Sequence, residues 1–322
     1  MLYLYKIETV MKNKNILILG STGFIGRSLT KKLLSKGVRI ISPVRNADRV
    51  KRNILSGDIG QIEVVPFNAL DMNPLESSIQ KSDIVINLLG ILFEKKNSSF
   101  ETAHYLVPKK LADMTIKYGK KFIHVSSLGS TTQTKSAYLY SKALGENYIQ
   151  NNHDNYIIIK PSVVFGEEDK FLNQFGNMTK FSPFLPLIKK GKTKFQPIYI
   201  DDLTSFIAKL AMSENDNFKN SAIDAVGPHI YSFKQILEVI FEIVHKKKHF
   251  INIPDFLASM QGRVLGMLPS PPFTYDQFLT LSHDSISLGS DKILAKYLGR
   301  DLAPMKLIAS NYLNKFHHKN NL

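Results

Sequence analysis

The sequence predicts an α/β protein with a doubly wound parallel sheet and a smaller, mostly helical C-terminal region. Ile16–Leu19 is a short all-apolar run, and further short, mostly apolar runs such as Ile84–Leu88 follow in the first half of the chain. Parallel strands that are buried on both faces have this composition. Helical patterns separate these runs, and strands and helices that alternate with short links build a parallel sheet.

The stretch Asn15–Lys36 is read as a strand, a glycine-rich turn and a helix. Gly20, Gly23 and Gly26 follow the strand, and the helical pattern ends at Gly37, a residue typical of the position after a helix. Glycines let the pyrophosphate of a dinucleotide approach the backbone, and the free N–H groups of the helix then hold the anion. We therefore expect a dinucleotide site here; the alternative is a structural turn without a ligand.

The second strand, Val38–Ser42, carries no acidic residue at its end. Many folds of this kind place an acid there to bind the ribose 2′-OH, whereas this chain supplies Arg45. Arg27, which directly follows the glycine turn, is a second candidate. Both arginines favour a 2′-phosphate, and hence NADP(H) over NAD(H), with two solvent-facing arginines as the alternative.

The remaining strands follow in order along the chain. Asp71 comes after the third strand, where it would contact the adenine or cap the helix that begins near Pro74. The long helix Phe100–Tyr118 is expected to kink at Pro108. The other predicted strands are Ile62–Phe67, Ile84–Leu88, Phe122–Ser126, Tyr156–Lys160, Pro197–Ile200 and Ala222–Val226.

The segment after the fifth strand carries the candidate chemistry. Tyr138 and Lys142 stand four positions apart, so a helix places them on one face. A protonated lysine beside a phenol favours the phenolate, which makes the phenol a general acid/base. The hydroxyl of Ser127 would polarise a substrate carbonyl. Tyrosine and lysine at this spacing are also common on exposed helix faces. The pair is a candidate for catalysis only because it follows the fifth strand of a dinucleotide fold.

Composition restricts the chemistry and the partners. The 322 residues contain no cysteine and carry a formal net charge of +15. A thiol nucleophile and a disulfide are therefore excluded, and no metal site is predicted. The charge indicates either an anionic partner or a lysine-rich genomic bias, and nothing beyond it indicates nucleic acid. No apolar run approaches the roughly 20 residues that span a bilayer. We expect a cytoplasmic protein, with a peripheral position at the inner face of a membrane as the open alternative.

Four motifs resemble the short-chain dehydrogenase/reductase superfamily in its extended or atypical branch. They read GSTGFIG, VSS, YLYSK and KPSVVFG. The longer segments FIHVSSLG, IIIKPSVVFGEEDKFLNQF and FQPIYIDDL resemble the Rossmann-type accessory subunit of respiratory complex I and its bacterial relatives. The resemblance is close over roughly residues 14–227 and looser beyond them.

The resemblance implies a Rossmann fold that holds NADPH, and it assigns roles residue by residue. The cofactor would contact Gly20, Thr22, Gly23, Phe24, Ile25, Gly26, Arg27, Arg45, Asp71, Leu88 and Pro161. Ser127, Tyr138 and Lys142 occupy the superfamily's catalytic positions, and Tyr138 and Lys142 would also contact the cofactor. Pro161 would lie against the nicotinamide.

Two departures from the superfamily pattern weigh against turnover. Only ten residues separate Ser127 from Tyr138, fewer than in most active members. His104 stands where many active relatives have a helix asparagine. The relatives within complex I are thought to hold NADPH as a structural element. We therefore expect a cofactor-binding protein of the respiratory NADH-ubiquinone oxidoreductase or of quinone metabolism. The alternative is an active NADPH-dependent reductase, epimerase or dehydratase that uses Tyr138 and Lys142.

The sequence also predicts how the chain is divided. We expect residues 1–11 to be a disordered extension, 12–165 the NAD(P)-binding domain and 166–322 a substrate or partner region, with about 195–228 returning to the sheet. Gly166–Pro197 is expected to be irregular, with aromatics that are core or wall a pocket. Asp201 is expected to cap the following helix, and Asp202 to face solvent. The basic, amphipathic C-terminal third is where a respiratory complex or an anionic membrane surface would dock.

Overall fold

The computed structural model describes residues 14–46, 58, 60–214, 217–247, 249–269 and 271–317. The predicted extension over residues 1–11 lies outside the described residues. The chain forms two compact units. The first comprises the described part of Met1–Thr132 with Tyr140–Lys160 and Thr204–Ile223; the second comprises Gln133–Leu139, Pro161–Leu203 and the described part of Asp224–Leu322. The predicted division after residue 165 stays a prediction.

A seven-stranded sheet forms the centre of the first unit. Its strands are β1 (Asn15–Leu19), β2 (Arg39–Val44), β3 (Ile62–Pro66), β4 (Ile84–Asn87), β5 (Lys121–Val125), β6 (Tyr156–Pro161) and β11 (Ser221–Ala225). They run in the order β11-β6-β5-β4-β1-β2-β3, and the pairings that join β1 to β6 are parallel. The order reverses between β1 and β4. In open α/β sheets, ligands bind at this switch point, beyond the carboxyl ends of the strands.

Helices connect these strands in the predicted alternation. They are α1 (Phe24–Leu34), α2 (Glu76–Lys81), α3 (Val107–Lys117), α4 (Ala137–Asn152) and α6 (Ile200–Met212). Leu17, Val85, Leu111, Phe122 and Ile158 belong to one buried apolar cluster. The apolar runs in the sequence thus form a core on the sheet, and the predicted doubly wound fold is confirmed.

The second strand differs from its prediction. β2 ends at Val44 rather than at Ser42, with Pro43 inside the strand. The pairing of β1 with β2 covers Arg39 to Ile41 only, so Pro43 lies beyond those paired positions. This extension makes Arg45 the first residue after β2.

A π-helical turn directly precedes the helix in which Pro108 was predicted to form a kink. Residues Thr102–Leu106 form this turn, and Pro108 lies in the first turn of α3. Proline has no N–H to donate to the carbonyl of His104 one turn earlier. A Cβ built on Gly145 would lie 2.2 Å from that carbonyl oxygen, so α4 passes it only because this position is glycine.

The second unit has a helical core and three short strand pairs. Its elements are β7 (Val164–Phe165), α5 (Phe171–Phe181), β8 (Phe184–Leu187), β9 (Lys194–Phe195), β10 (Ile198–Tyr199), β12 (Tyr231–Ser232), α7 (Phe233–Ile243), β13 (His249–Asn252), α8 (Asp255–Leu265), α9 (Tyr275–Thr280), α10 (Ser290–Leu298) and α11 (Met305–Leu313). The pairs are β7 with β10, β8 with β13 and β9 with β12. α5, α7 and α11 share one apolar core.

Two predictions for the second unit are wrong. The segment predicted as irregular contains α5, whose Phe175 is core, whereas Phe181 and Phe184 are exposed. Asp202, predicted to face solvent, is 1% exposed. Its Oδ1 lies 2.6 Å from Nη1 of Arg300, and its Oδ2 accepts the N–H of Ala303 at 2.8 Å. The pairing with Arg300 offsets the cost of burying the Asp202 carboxylate.

Candidate functional site

The glycine turn lies at the carboxyl end of β1 and leads into α1. Gly20 has a φ of +89°, a backbone conformation that favours glycine, and its carbonyl accepts the N–H of Gly23 at 3.0 Å. Gly23 precedes α1 in an extended conformation and forms no side-chain cap. The helix therefore begins with backbone N–H groups that no described side chain caps, as an anion site requires.

Close packing behind the turn requires two of the glycines. A Cβ on Gly26 would lie 2.0 Å from the carbonyl oxygen of Gly20. A Cβ on Gly20 would lie 3.0 Å from the carbonyl carbon of Leu88, which directly follows β4. Side chains at either position would push the turn away from the sheet. The turn is therefore held close to β4, and its geometry fits a bound pyrophosphate.

Two polar contacts fix the turn. The hydroxyls of Ser21 and Ser42 lie 2.6 Å apart in the interior, which joins the turn to β2. The guanidinium of Arg27 donates from Nη1 to the carbonyl of Thr22 at 2.8 Å. Arg27 thus supports the backbone of the turn, which sequence reasoning did not anticipate. Phe24 and Ile25, the other predicted contacts, occupy the first turn of α1 and are half-buried.

Arg45 and Asp71 lie beyond the ends of neighbouring strands. Arg45 is exposed and directly follows β2, whose partner β3 ends at Pro66. Asp71 is exposed, and its Oδ1 accepts the N–H of Asn73 at 3.2 Å. The carboxylate therefore supports the turn that leads to α2. Its contact with adenine stays a prediction.

Lys142 is buried at the carboxyl end of β5. Its side chain is 3% exposed, and Nζ donates to the carbonyl of Val125 at 3.3 Å. A Cβ built on Gly90 would lie 3.4 Å from the same Nζ, so the ammonium lies beside the loop after β4. Burial lowers the pKa of Lys142 to about 8, with Glu146 as an opposing influence. An ammonium with this pKa changes charge close to neutral pH.

His104 joins the same loop to α4. Its Nε2 accepts the N–H of Ile91 at 3.1 Å, so Nδ1 carries the proton and faces the hydroxyl of Ser141 at 3.0 Å. Burial and the nearby Lys142 lower the pKa of His104 to about 2. The imidazole is therefore neutral, and it positions the loop rather than transferring protons.

A second buried histidine lies on β5 beside β4. Nδ1 of His124 lies 3.1 Å from the amide nitrogen of Asn87, whose Oδ1 accepts the N–H of Leu89 at 3.0 Å. Nε2 of His124 has no hydrogen-bond partner among the described residues. Burial keeps the pKa of His124 well below its usual value. Asn87 and His124 thus fix the start of the loop that runs beside Lys142.

The serines after β5 are held by a buried carboxylate that sequence reasoning missed. Glu146 accepts hydrogen bonds from the hydroxyls of Ser126 and Ser130, and its Oε2 lies 3.0 Å from Nζ of Lys160. Ser127 is half-buried, and within the described part of the chain its hydroxyl donates to the carbonyl of Leu128, at 3.4 Å. The four-residue spacing of Lys142 and Glu146 on one helix was the only signal in the sequence.

Tyr138 and Pro161 belong to the second unit. Pro161 is the buried last residue of β6. Tyr138 is half-buried in the first turn of α4. The N–H of Ala137 donates to Oδ1 of Asp276 at 2.6 Å, and that of Tyr138 donates to Oδ2 at 3.3 Å. Asp276 of α9 therefore caps the helix end that carries the candidate acid/base.

Replacing Lys142 with methionine should change how stability depends on pH. The folded pKa is about 8 and the ordinary value 10.5, so the unfolded chain binds this proton more tightly. The contribution of Lys142 to stability therefore rises as pH increases through that window. Urea unfolding is measured for both proteins at a pH below 8 and at a pH near 10.5. The free energy of unfolding of wild type, relative to that of Lys142→Met, should be higher at the higher pH. Exposed Lys36→Met is the control, and a difference that stays constant with pH would contradict the assignment.

Replacing Asp276 with alanine should destabilise the protein by about 0.5–2 kcal/mol, because α4 loses its cap. Asp276→Asn keeps one acceptor oxygen and should lose less. Chemical unfolding monitored by circular dichroism measures both variants. Equal stability of wild type and Asp276→Ala would mean that the carboxylate does not hold the helix.

The reversed strand order and the glycine turn define a Rossmann-type α/β protein. Residues 16–224 match the model of the NAD dependent epimerase/dehydratase family. The chain belongs to this family. No described group of three or more acidic or histidine side chains is arranged to hold a metal ion.

Several proteins similar in sequence are respiratory subunits, and an epimerase is among the solved structures with a similar fold. The chain is 32% identical to the mitochondrial NADH dehydrogenase (ubiquinone) 1 alpha subcomplex subunit 9 of Arabidopsis thaliana, over 90% of this chain and 74% of that protein. The subunit 9 of Rattus norvegicus is also 32% identical, over 92% and 79%. A UDP-glucuronic acid 4-epimerase from Bacillus cereus, solved with UDP-glucuronic acid and NAD, superposes with a TM-score of 0.67 at 18% identity, over 94% of this chain and 99% of that one. The chain is therefore a relative of the complex I subunit with the epimerase fold.

Proposed function

We propose that this protein holds NADPH as a tightly bound element and acts in or near a respiratory NADH-ubiquinone oxidoreductase, or in quinone metabolism. The observation that carries the proposal is the glycine turn, which lies close to β4 and opens onto the uncapped start of α1. Gly20, Thr22, Gly23 and Gly26 would hold the pyrophosphate. Arg45, exposed at the end of β2, would hold the 2′-phosphate.

The local geometry of the first unit supports a structural role for the cofactor. The hydroxyl of Ser126 donates to Glu146, and that of Ser127 donates to the carbonyl of Leu128. His104, at the superfamily's asparagine position, is fixed as a neutral link between Ile91 and Ser141. These protein contacts of the serine hydroxyls and the imidazole support the structural role.

The respiratory assignment is supported by the relatives. Two of them are subunits of NADH dehydrogenase (ubiquinone), and the chain aligns with each over at least 90% of its length. No helix in the described part of the chain is long and apolar enough to cross a bilayer. We propose that the protein associates with such an assembly as a peripheral component.

A second candidate function is an NADPH-dependent reductase, epimerase or dehydratase. A bound nicotinamide would supply or accept a hydride. The chain itself would supply Tyr138 as the general acid/base. Lys142 favours this reading, because its pKa of about 8 lets it lose or gain charge near neutral pH.

Identification of the bound nucleotide separates the two functions. The native protein is purified, its nucleotide is released and identified, and the reduced-nicotinamide absorbance is followed with carbonyl and quinone substrates. We expect NADPH that no substrate oxidises. Oxidation by one substrate in wild type but not in Tyr138→Phe would establish the enzyme instead. A protein that purifies without nucleotide and binds none would overturn both.

A further inference from the structure

Helix α8 in the second unit is apolar on its outer face. Its inner face carries small residues, and a Cβ built on Gly262 would lie 2.8 Å from the backbone nitrogen of Tyr275 in α9. The large apolar residues point outward at a spacing of four: Phe256 is 75% exposed, Met260 49% and Val264 61%. Met267, just beyond the helix, is 87% exposed. A helix packed only within a globular unit would have the opposite pattern.

The strand pair β8–β13, which leads into α8, also has an apolar outer face. Leu185 is buried and Phe250 packs against the core, whereas Phe184 and Ile251, on the alternate positions, are exposed. The N–H of Ile253 donates to the carbonyl of Leu187, which extends the pair to the start of α8. The chain thus leads from the exposed Ile251 of the pair, through four residues, to the exposed Phe256 of the helix.

A basic depression lies at the other end of the same strand pair. It has a volume of about 360 Å³ and is lined by Thr179, Lys180, Phe181, Ser182, Pro183, Lys246, Lys247 and His249. His249 is also the first residue of β13. No acidic residue of the described chain lines the depression. Phe181, on its rim, is 83% exposed.

Local structure accounts for some of these lysines but not for their grouping. Lys246 donates to the carbonyl of Thr179 near the end of α5, and Lys180 lies over the ring of Phe316 at 4.9 Å. Lysines at helix C-termini are favoured in any protein. Neither contact explains why Lys247 is exposed beside them, or why an exposed phenylalanine shares the rim.

The high exposure of the apolar side chains favours a lipid partner over a protein partner. Phe256 and Met267 are 75% and 87% exposed, so they project from the surface, and Phe181 on the rim of the depression is 83% exposed. A protein interface buries its aromatic anchors in matched pockets. Projecting apolar side chains beside lysines suit a bilayer, where they enter the acyl boundary while the lysines meet lipid phosphates.

We propose that the outer face of α8, the strand pair β8–β13 and the basic depression together bind the surface of an anionic lipid bilayer. This docking surface would place the second unit on the membrane without a spanning segment. The anionic lipid bilayer is a partner in addition to those of the proposed function. Binding to it does not depend on the nucleotide, so the two proposals fail separately.

Vesicle binding by the full chain tests the proposal. Flotation is measured with phosphatidylcholine vesicles and with vesicles that also contain phosphatidylglycerol. We expect binding that requires the anionic lipid and weakens as salt is raised. The triple variant Phe256→Gln, Met260→Gln, Val264→Gln should lose binding by at least about tenfold. Lys180→Gln with Lys247→Gln should lose roughly fivefold per lysine.

Matched variants elsewhere in the second unit control for surface composition. Leu288 and Leu307 are 83% and 63% exposed and lie outside the docking surface, so Leu288→Gln with Leu307→Gln should bind vesicles as wild type does. Circular dichroism and the midpoint of urea unfolding check that each variant is folded. Wild type that does not float, or a triple variant that floats like wild type, would overturn the proposal. Flotation without anionic lipid would overturn the role of the basic depression.

Discussion

Replacing Arg45 with aspartate is expected to weaken NADPH binding by roughly 10–150-fold, the value of a lost charge-assisted hydrogen-bonded contact. NADH binding should change little or improve, because an acid at the end of β2 is the usual partner of a ribose 2′-OH. The structure supports this placement, since β2 extends to Val44 and leaves Arg45 as the first residue beyond it. Competition binding with both nucleotides measures the ratio of dissociation constants.

Arg39 provides the matched control for this experiment. It is exposed, as Arg45 is, but it lies at the amino end of β2, whereas Arg45 follows the carboxyl end. Arg39→Asp should leave both affinities unchanged. Equal losses of NADPH and NADH affinity in Arg45→Asp would show that the arginine does not recognise the 2′-phosphate.

Replacing Gly26 with alanine is expected to abolish nucleotide retention and to destabilise the first unit by about 1–3 kcal/mol. The added Cβ would lie 2.0 Å from the carbonyl oxygen of Gly20. No side-chain rotation can relieve this clash, because both atoms are fixed by the backbone. The turn must therefore move away from α1, and the N–H groups at the helix start lose their common direction. Unfolding midpoints and the nucleotide content of the purified variant measure the two effects.

Gly23→Ala is the graded comparison in the same turn. Its Cβ would meet the carbonyl oxygen of Gly20 at 3.2 Å, a tight contact that a small shift relieves. We expect a smaller loss of stability there than in Gly26→Ala. If the two variants retain equal amounts of nucleotide, close packing at Gly26 is not what shapes the site.

The proposed docking surface is linked through α9 to the candidate acid/base, Tyr138. α8 packs on α9 through Gly262, and α9 supplies Asp276, which caps the first turn of α4 at Tyr138. All these residues belong to the second unit. Direct contacts through α9 therefore join the proposed docking helix α8 to the backbone of Tyr138.

The sequence by itself determined the strand, turn and helix around Gly20, because the interactions that form them are local. Apolar runs predict buried strands, glycines predict a close turn, and both signals lie within Asn15–Lys36. The doubly wound fold followed from repeating this alternation. The family resemblance assigned Lys142 to a catalytic position, and the structure adds that its side chain is buried beside the carbonyl of Val125 at the end of β5.

Only the tertiary structure decided which polar residues are buried and what they bind. Glu146 binds Ser126 and Lys160, and Asp276 reaches Ala137 from 139 positions along the chain. Asp202, which the sequence assigns to solvent, is buried against Arg300. Residue type alone does not give these outcomes, since a carboxylate is stable in solvent or in the interior depending on its partner. Those partners come from distant segments, and the packing of the core decides which of them meet.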